Sequence, residues 1–160
     1  MDEDSSLLVD AEDLAIYRWR NVLLRFGPRA PDVEQVELFH STLEDMLESH
    51  KRVGLLAWLP REAQLPDRPT RARASKMLRS LTPRLAGLAV VVDSPGVWAS
   101  AVHRIINGLT VFAPVAVKIT TRSDDASMWL SDRLKLGHDV GQALADFSRT
   151  RTTRINGVAS

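Results

Sequence analysis

Three short, largely apolar runs decide most of what this chain can become. Val53-Gly54-Leu55-Leu56-Ala57-Trp58-Leu59 closes at Pro60, the run from Gly87 to Val92 closes at Asp93-Ser94-Pro95-Gly96, and Val115 to Thr120 forms the third. Each is short for a helix; the first two are too uniformly apolar for a strand with one wet face, so strands covered on both faces fit them, and the third, with Lys118 inside it, reads as a last strand. Between them the apolar period becomes helical. After Pro31-Asp32, Val36, Phe39, Leu43 and Met46/Leu47 recur at helical spacing, while Glu37, Glu44, Asp45 and Glu48 fall on other faces. Pro suits a first helical turn and Asp suits the positive end of the helix dipole. A second helix is predicted from the loop Leu65-Pro66-Asp67-Arg68-Pro69 through about Leu81, with Ala72, Met77, Leu78 and Leu81 inward. A third is predicted from Pro95 to Leu109, with Val97, Trp98, Ala101, Val102, Ile105 and Leu109 inward, His103 and Arg104 outward, and Asn107-Gly108 as its stop. Ser123-Asp124-Asp125 opens a fourth, carrying Met128, Trp129, Leu130 and Leu134.

Ahead of this alternation, Leu14 to Trp19 and Val22 to Phe26 read as two strands joined near Arg20-Asn21, and Gly27-Pro28 ends the pattern. The expected fold class is α/β, a sandwich with a mixed central sheet, an N-terminal antiparallel hairpin and about four packing helices. A chain of 160 residues suits one domain. The expected boundaries are an acidic lead over 1–11, a domain over 12–136 and a tail over 137–160 that is helical near Val140 to Phe147 and then flexible.

Composition narrows the function classes. The absence of Cys excludes disulfides, thiol chemistry and thiolate metal sites. No apolar run approaches the roughly 20 residues needed to cross a bilayer, and Met1-Asp2-Glu3-Asp4 is no basic leader, so no transmembrane segment and a cytoplasmic location are expected. A net charge of +1 conceals an acidic start, an acidic stretch from Asp32 to Glu48 and a basic stretch holding Arg61, Arg68, Arg71, Arg73, Lys76, Arg79 and Arg84. That basic stretch could be solvated, face the acidic helix of the same chain, or meet an acidic partner. No aromatics interleave the arginines, so no nucleic acid is expected.

Reactive groups are scattered. His40, His50, His103 and His138 lack a spacing that sets two ligands on one face, so no metal is expected. No glycine-rich phosphate cradle is present, and no cofactor is expected. Asp124-Asp125 read as first-turn acids, and Trp19, Trp58, Trp98 and Trp129 as core. Ser94 has three readings: an N-cap followed by Pro at the first helical position, a phosphate acceptor beside helix amides, or a nucleophile without the Gly-x-Ser-x-Gly elbow.

The order of Val53–Leu59, Leu88-Ala89-Val90-Val91-Val92-Asp93, Val115–Thr120 and the closing Asp125-Ala126-Ser127-Met128-Trp129-Leu130 resembles the SpoIIAA-like family, a STAS-like group related in shape to CRAL-TRIO domains. The resemblance covers about residues 12–136. It implies a non-enzymatic regulatory or scaffolding protein that acts by binding another protein. Its alternatives are a small apolar, lipid-like ligand and a phosphorylation-switched anti-anti-sigma-type regulator using Ser94, because Asp93-Ser94-Pro95-Gly96 is similar to the Asp-Ser-x-Gly turn of those regulators. The expected contact surface is that turn and the helix after it, with His103, Arg104, Arg71, Lys76 and Arg79 as partner residues. A homo-oligomer through a sheet edge is also open.

Overall fold

A computed structural model describes residues 5–61, 63–93 and 96–158, with side chains through Arg154. Six strands lie side by side in chain order: β1 (Ser5–Asp10), β2 (Ala15–Trp19), β3 (Val22–Phe26), β4 (Val53–Leu59), β5 (Leu85–Val92) and β6 (Val117–Thr120). The first three form an antiparallel meander and β3 to β6 run parallel. Parallel neighbours need crossovers, supplied by α1 (Val33–Ser49), α2 (Arg68–Leu81) and α3 (Val97–Thr110). Because strand order advances in one direction and each crossover keeps the same hand, all three helices fall on one face of the sheet. The opposite face is covered by α4 (Ser123–Leu134) and α5 (His138–Val158). The α/β class and the mixed sheet with antiparallel N-terminal strands stand as expected, with five helices in place of about four. Among the described residues no helix is long and apolar enough to cross a membrane.

The continuous apolar runs follow from this double coverage. In β4, Val53 and Leu55 enter the core under α1 to α3, while Leu56 and Trp58 enter the core under α4 and α5. In β5, Leu88, Val90 and Val92 take the first side and Ala89 and Val91 the second. The two-residue period of a strand is intact, but both of its faces are dry.

Helix starts obey local chemistry. Asp32 caps α1 by accepting the Gln35 amide at 2.8 Å, and Asp67 caps α2 by accepting the Thr70 amide at 2.9 Å. Hydrogen bonds from Thr70 hold the Asp67 carboxyl below the usual range. Hydrogen bonds from Arg29 and from Arg73 do the same for Asp13 and Glu37. A carboxylate with a lowered folded value stabilises the fold above its unfolded value, about 4, and that gain is lost as pH falls through the folded value. Melting temperature is therefore expected to be level between about pH 8 and 5 and to fall below about 4, with Asp67→Asn showing a shallower acid fall than the parent. A melting temperature unchanged down to pH 3 would contradict the three pairings.

Several boundaries differ from expectation. The acidic lead contributes β1, an edge strand in register with β2 apart from an irregularity between Leu7 and Val9. The segment expected to be a partly flexible tail is the 21-residue α5, whose Leu144, Ala145 and Phe147 are buried. It forms part of the second core, not an appendage. In α2, Ala72 is exposed. In α3 the helix begins at Val97, which is 87% exposed, continues past Asn107-Gly108 to Thr110, and buries Val102 and Ile106. Trp19 and Trp58 are core, whereas Trp98 and Trp129 are half-buried.

Glycine sets how closely α4 can approach. A Cβ on Gly54 would sit 2.8 Å from Leu130 Cδ1, and one on Gly87 would sit 2.8 Å from Trp129 Cη2. Leu130 is fully buried and cannot retreat. Gly54→Ala is expected to destabilise by about 1–3 kcal/mol in chemical denaturation. Gly108→Ala, in a helix with open space around it, should instead stabilise by about 0.5–1 kcal/mol.

Candidate functional site

The basic stretch divides once α2 is folded. One flank meets the acidic helix: Arg73 pairs with Glu37 at 2.5 Å and donates to His40 Nδ1 at 2.8 Å, and Lys76 adds its charge to the same carboxylate. The other flank faces α3. Arg68 and Arg71, one turn apart, share a cleft of about 440 Å³ with Arg104 of α3, over a floor that includes Ile105 and Leu109. All three arginines are exposed, and none forms an ion pair among the described residues. Several other guanidinium groups are paired with carboxylates: Arg29 with Asp13, Arg122 with Asp125, and Arg149 with Asp124 and Asp146. One side-chain bond ties the walls of the cleft together, from Ser75 Oγ to the Leu109 carbonyl at 3.3 Å. That carbonyl lies in the last turn of α3, where the following Ala113 amide turns to Thr110 instead.

Of the expected partner residues, the fold brings Arg71 and Arg104 together. His103 is exposed on α3 but is not among the residues lining the cleft, and Arg79 is exposed in the last turn of α2. The turn before α3 is seen at its ends, since Ser94 and Pro95 lie outside the described residues. Asp93 is exposed and its amide donates to the Leu59 carbonyl at 3.3 Å. Gly96, at φ 104°, occupies the N-cap position with no side-chain cap bond, so the expected helix start at Pro95 moves two residues on.

Folding also joins His40 to Ser80, whose Oγ lies 2.9 Å from His40 Nε2. The pair has the spacing of a hydroxyl and its general base, but the wrong polarity. Arg73 can only donate to Nδ1, so the proton of the neutral ring sits on Nε2, within reach of both Ser80 Oγ and the Glu44 carboxylate, while Ser80 donates its own hydrogen bond to the Met77 carbonyl at 2.9 Å. His40 also lies 3.2 Å from Glu44. The cluster clasps α1 to α2 and offers Ser80 no base. Among the described residues, no group of three or more His, Asp or Glu is placed to hold a metal ion.

Next to the cleft floor lies an apolar pocket of about 140 Å³, half open to solvent, between the sheet and the helices α1 to α3. Ile105 and Leu109 line both spaces and lie where the two meet. The volume falls well below the roughly 300–1,000 Å³ of pockets for drug-sized molecules and suits a single ring or branched side chain. On its far wall stands Arg25, which is 2% exposed in the middle of β3. Its guanidinium donates to Gln35 Oε1 at 3.2 Å, to the Gly27 carbonyl at 3.3 Å and to the Arg29 carbonyl. Burial pushes it down to about 10, still charged at neutral pH. Arg25 escaped the sequence reading because it sits within an apolar run; the signal was a charge in a strand buried on both faces, followed by a glycine turn whose carbonyls need donors. Comparison with protein-family models, with curated proteins and with solved structures finds no match to this chain.

Proposed function

We propose that the chain is a non-enzymatic, STAS-like binding protein of the SpoIIAA-like type that docks an acidic segment of another protein in the cleft between α2 and α3. The observation that carries this reading is the set of three exposed guanidinium groups, Arg68, Arg71 and Arg104, gathered around one apolar floor with no close ion pair among the described residues, the charge of Arg71 also reaching the Asp67 cap of its own helix. Clustered like charges repel, so an anionic partner gains from each of them and is steered to the cleft. The floor of Ile105 and Leu109 suits the apolar face of a peptide more than a bare phosphate chain.

The test is fluorescence anisotropy with a labelled nonaglutamate peptide at low salt. The parent is expected to bind it, Arg71→Glu/Arg104→Glu to lose at least tenfold in affinity, and added salt to weaken the parent steeply. No binding by the parent, equal binding by the variant, or tighter binding of a single-stranded oligonucleotide than of the peptide would each overturn the reading.

A further inference from the structure

The cleft and the half-open apolar pocket beside it share two lining side chains, Ile105 and Leu109, on the most shallowly seated of the crossover helices. α3 buries Val102 and Ile106, while α1 buries seven residues and α2 four. Its N-terminus has no side-chain cap. Ile105 and Leu109 are half-buried and stand one turn apart. A boundary of this kind widens by rotamer change, without rupture of the sheet. Beside it is apolar space that no side chain of the chain fills.

We infer that the docked acidic segment is anchored by one bulky apolar side chain, a leucine or phenylalanine, which passes between Ile105 and Leu109 into the cavity. This rests on the docking reading above. Charge complementarity selects the acidic flanks, because Arg68, Arg71 and Arg104 ring the entrance. Volume selects the anchor: about 140 Å³ is close to the engineered apolar cavity of about 150 Å³ that stays dry and takes benzene. An apolar anchor in a desolvated pocket, ringed by charged contacts, is the arrangement in which a few residues carry most of the affinity of an interface. Glutamates alone would leave the cavity empty.

The experiment compares two labelled peptides, each with four glutamates on either side of a central residue that is phenylalanine in one and alanine in the other. The full chain is expected to bind the phenylalanine peptide roughly tenfold to a hundredfold more tightly. That advantage should vanish in Ala74→Leu, which fills the cavity from α2, while Arg71→Glu/Arg104→Glu should weaken both peptides together. Benzene supplies a readout that needs no variant: a saturating amount should raise the melting temperature of the parent and erase the phenylalanine advantage. Equal binding of the two peptides overturns the anchor and leaves the docking cleft standing; failure of both to bind overturns the cleft and the anchor with it. A phenylalanine advantage that persists with benzene present places the anchor outside the cavity and also overturns the proposal.

Discussion

Truncation after Gly137 is expected to leave a chain without a cooperative melting transition. The segment removed is α5, whose Leu144, Ala145 and Phe147 are buried against the meander and α4. Phe147 meets Tyr17 edge-on at 5.3 Å and lies 6.3 Å from Trp19. Arg151 stacks 3.7 Å above the Phe147 ring and covers Tyr17 at 5.4 Å. Without the helix, Tyr17 and Leu130 would join Trp19 in facing water. Each large apolar side chain left exposed forfeits about 1.5–3 kcal/mol, and a domain of this size has only about 5–15 kcal/mol in total. Circular dichroism melting and dye binding provide the measurement. A truncated chain that still melts sharply, within a few degrees of the parent, would show that α5 is the appendage the sequence first suggested.

That suggestion had a physical cause. Apolar periodicity detects helices that bury large side chains, and the face α5 turns to α4 is made of small ones. Gly141, Ala145 and Ser148 recur at helical spacing and are buried, and a Cβ on Gly141 would lie 2.9 Å from Met128 Sδ and 3.0 Å from Ser131 Oγ. Close backbone approach, with little hydrophobic mass, is nearly silent in a sequence. The two-sided strands are the opposite case, because β4 and β5 must be apolar at every position and so announce themselves.

The α2–α3 cleft was half legible. The i, i+3 pair Arg68 and Arg71 places two cations on one face of a helix, yet nothing along the chain shows that Arg73, two positions on, is neutralised by Glu37 of another helix. On α3 the apolar stripe is wider than the buried line. Val102 and Ile106 hold the helix to the core, and Ile105 and Leu109, one position behind on the next line of side chains, face the cleft and the cavity. The surplus apolar line is the candidate site, and reading it as core placed Ile105 where Ile106 belongs.

The second large effect is expected at Gly27. Its φ is 127°, outside the region that a residue with a Cβ enters readily. A Cβ there would lie 2.3 Å from the Asp13 carbonyl oxygen and 3.0 Å from Leu14 Cα. Both obstacles are backbone, and the backbone is fixed: the Asp13 carbonyl accepts the Arg29 amide at 3.1 Å, and the Gly27 carbonyl accepts from buried Arg25. Relief would have to come from parting β3 from the start of β2, which breaks the clasp that Arg25 makes with the turn. Gly27→Ala is therefore expected to destabilise by about 3–5 kcal/mol, the range reached when strain and overpacking coincide. Gly96→Ala separates the two causes. Gly96 has a similar φ of 104° with nothing within 4 Å of a Cβ, so it should lose only the conformational part, about 1–2 kcal/mol. Urea denaturation of the two variants beside the parent reads the difference directly. Equal losses would mean that the Asp13 carbonyl is no obstacle and that the turn after β3 is looser than its hydrogen bonds require.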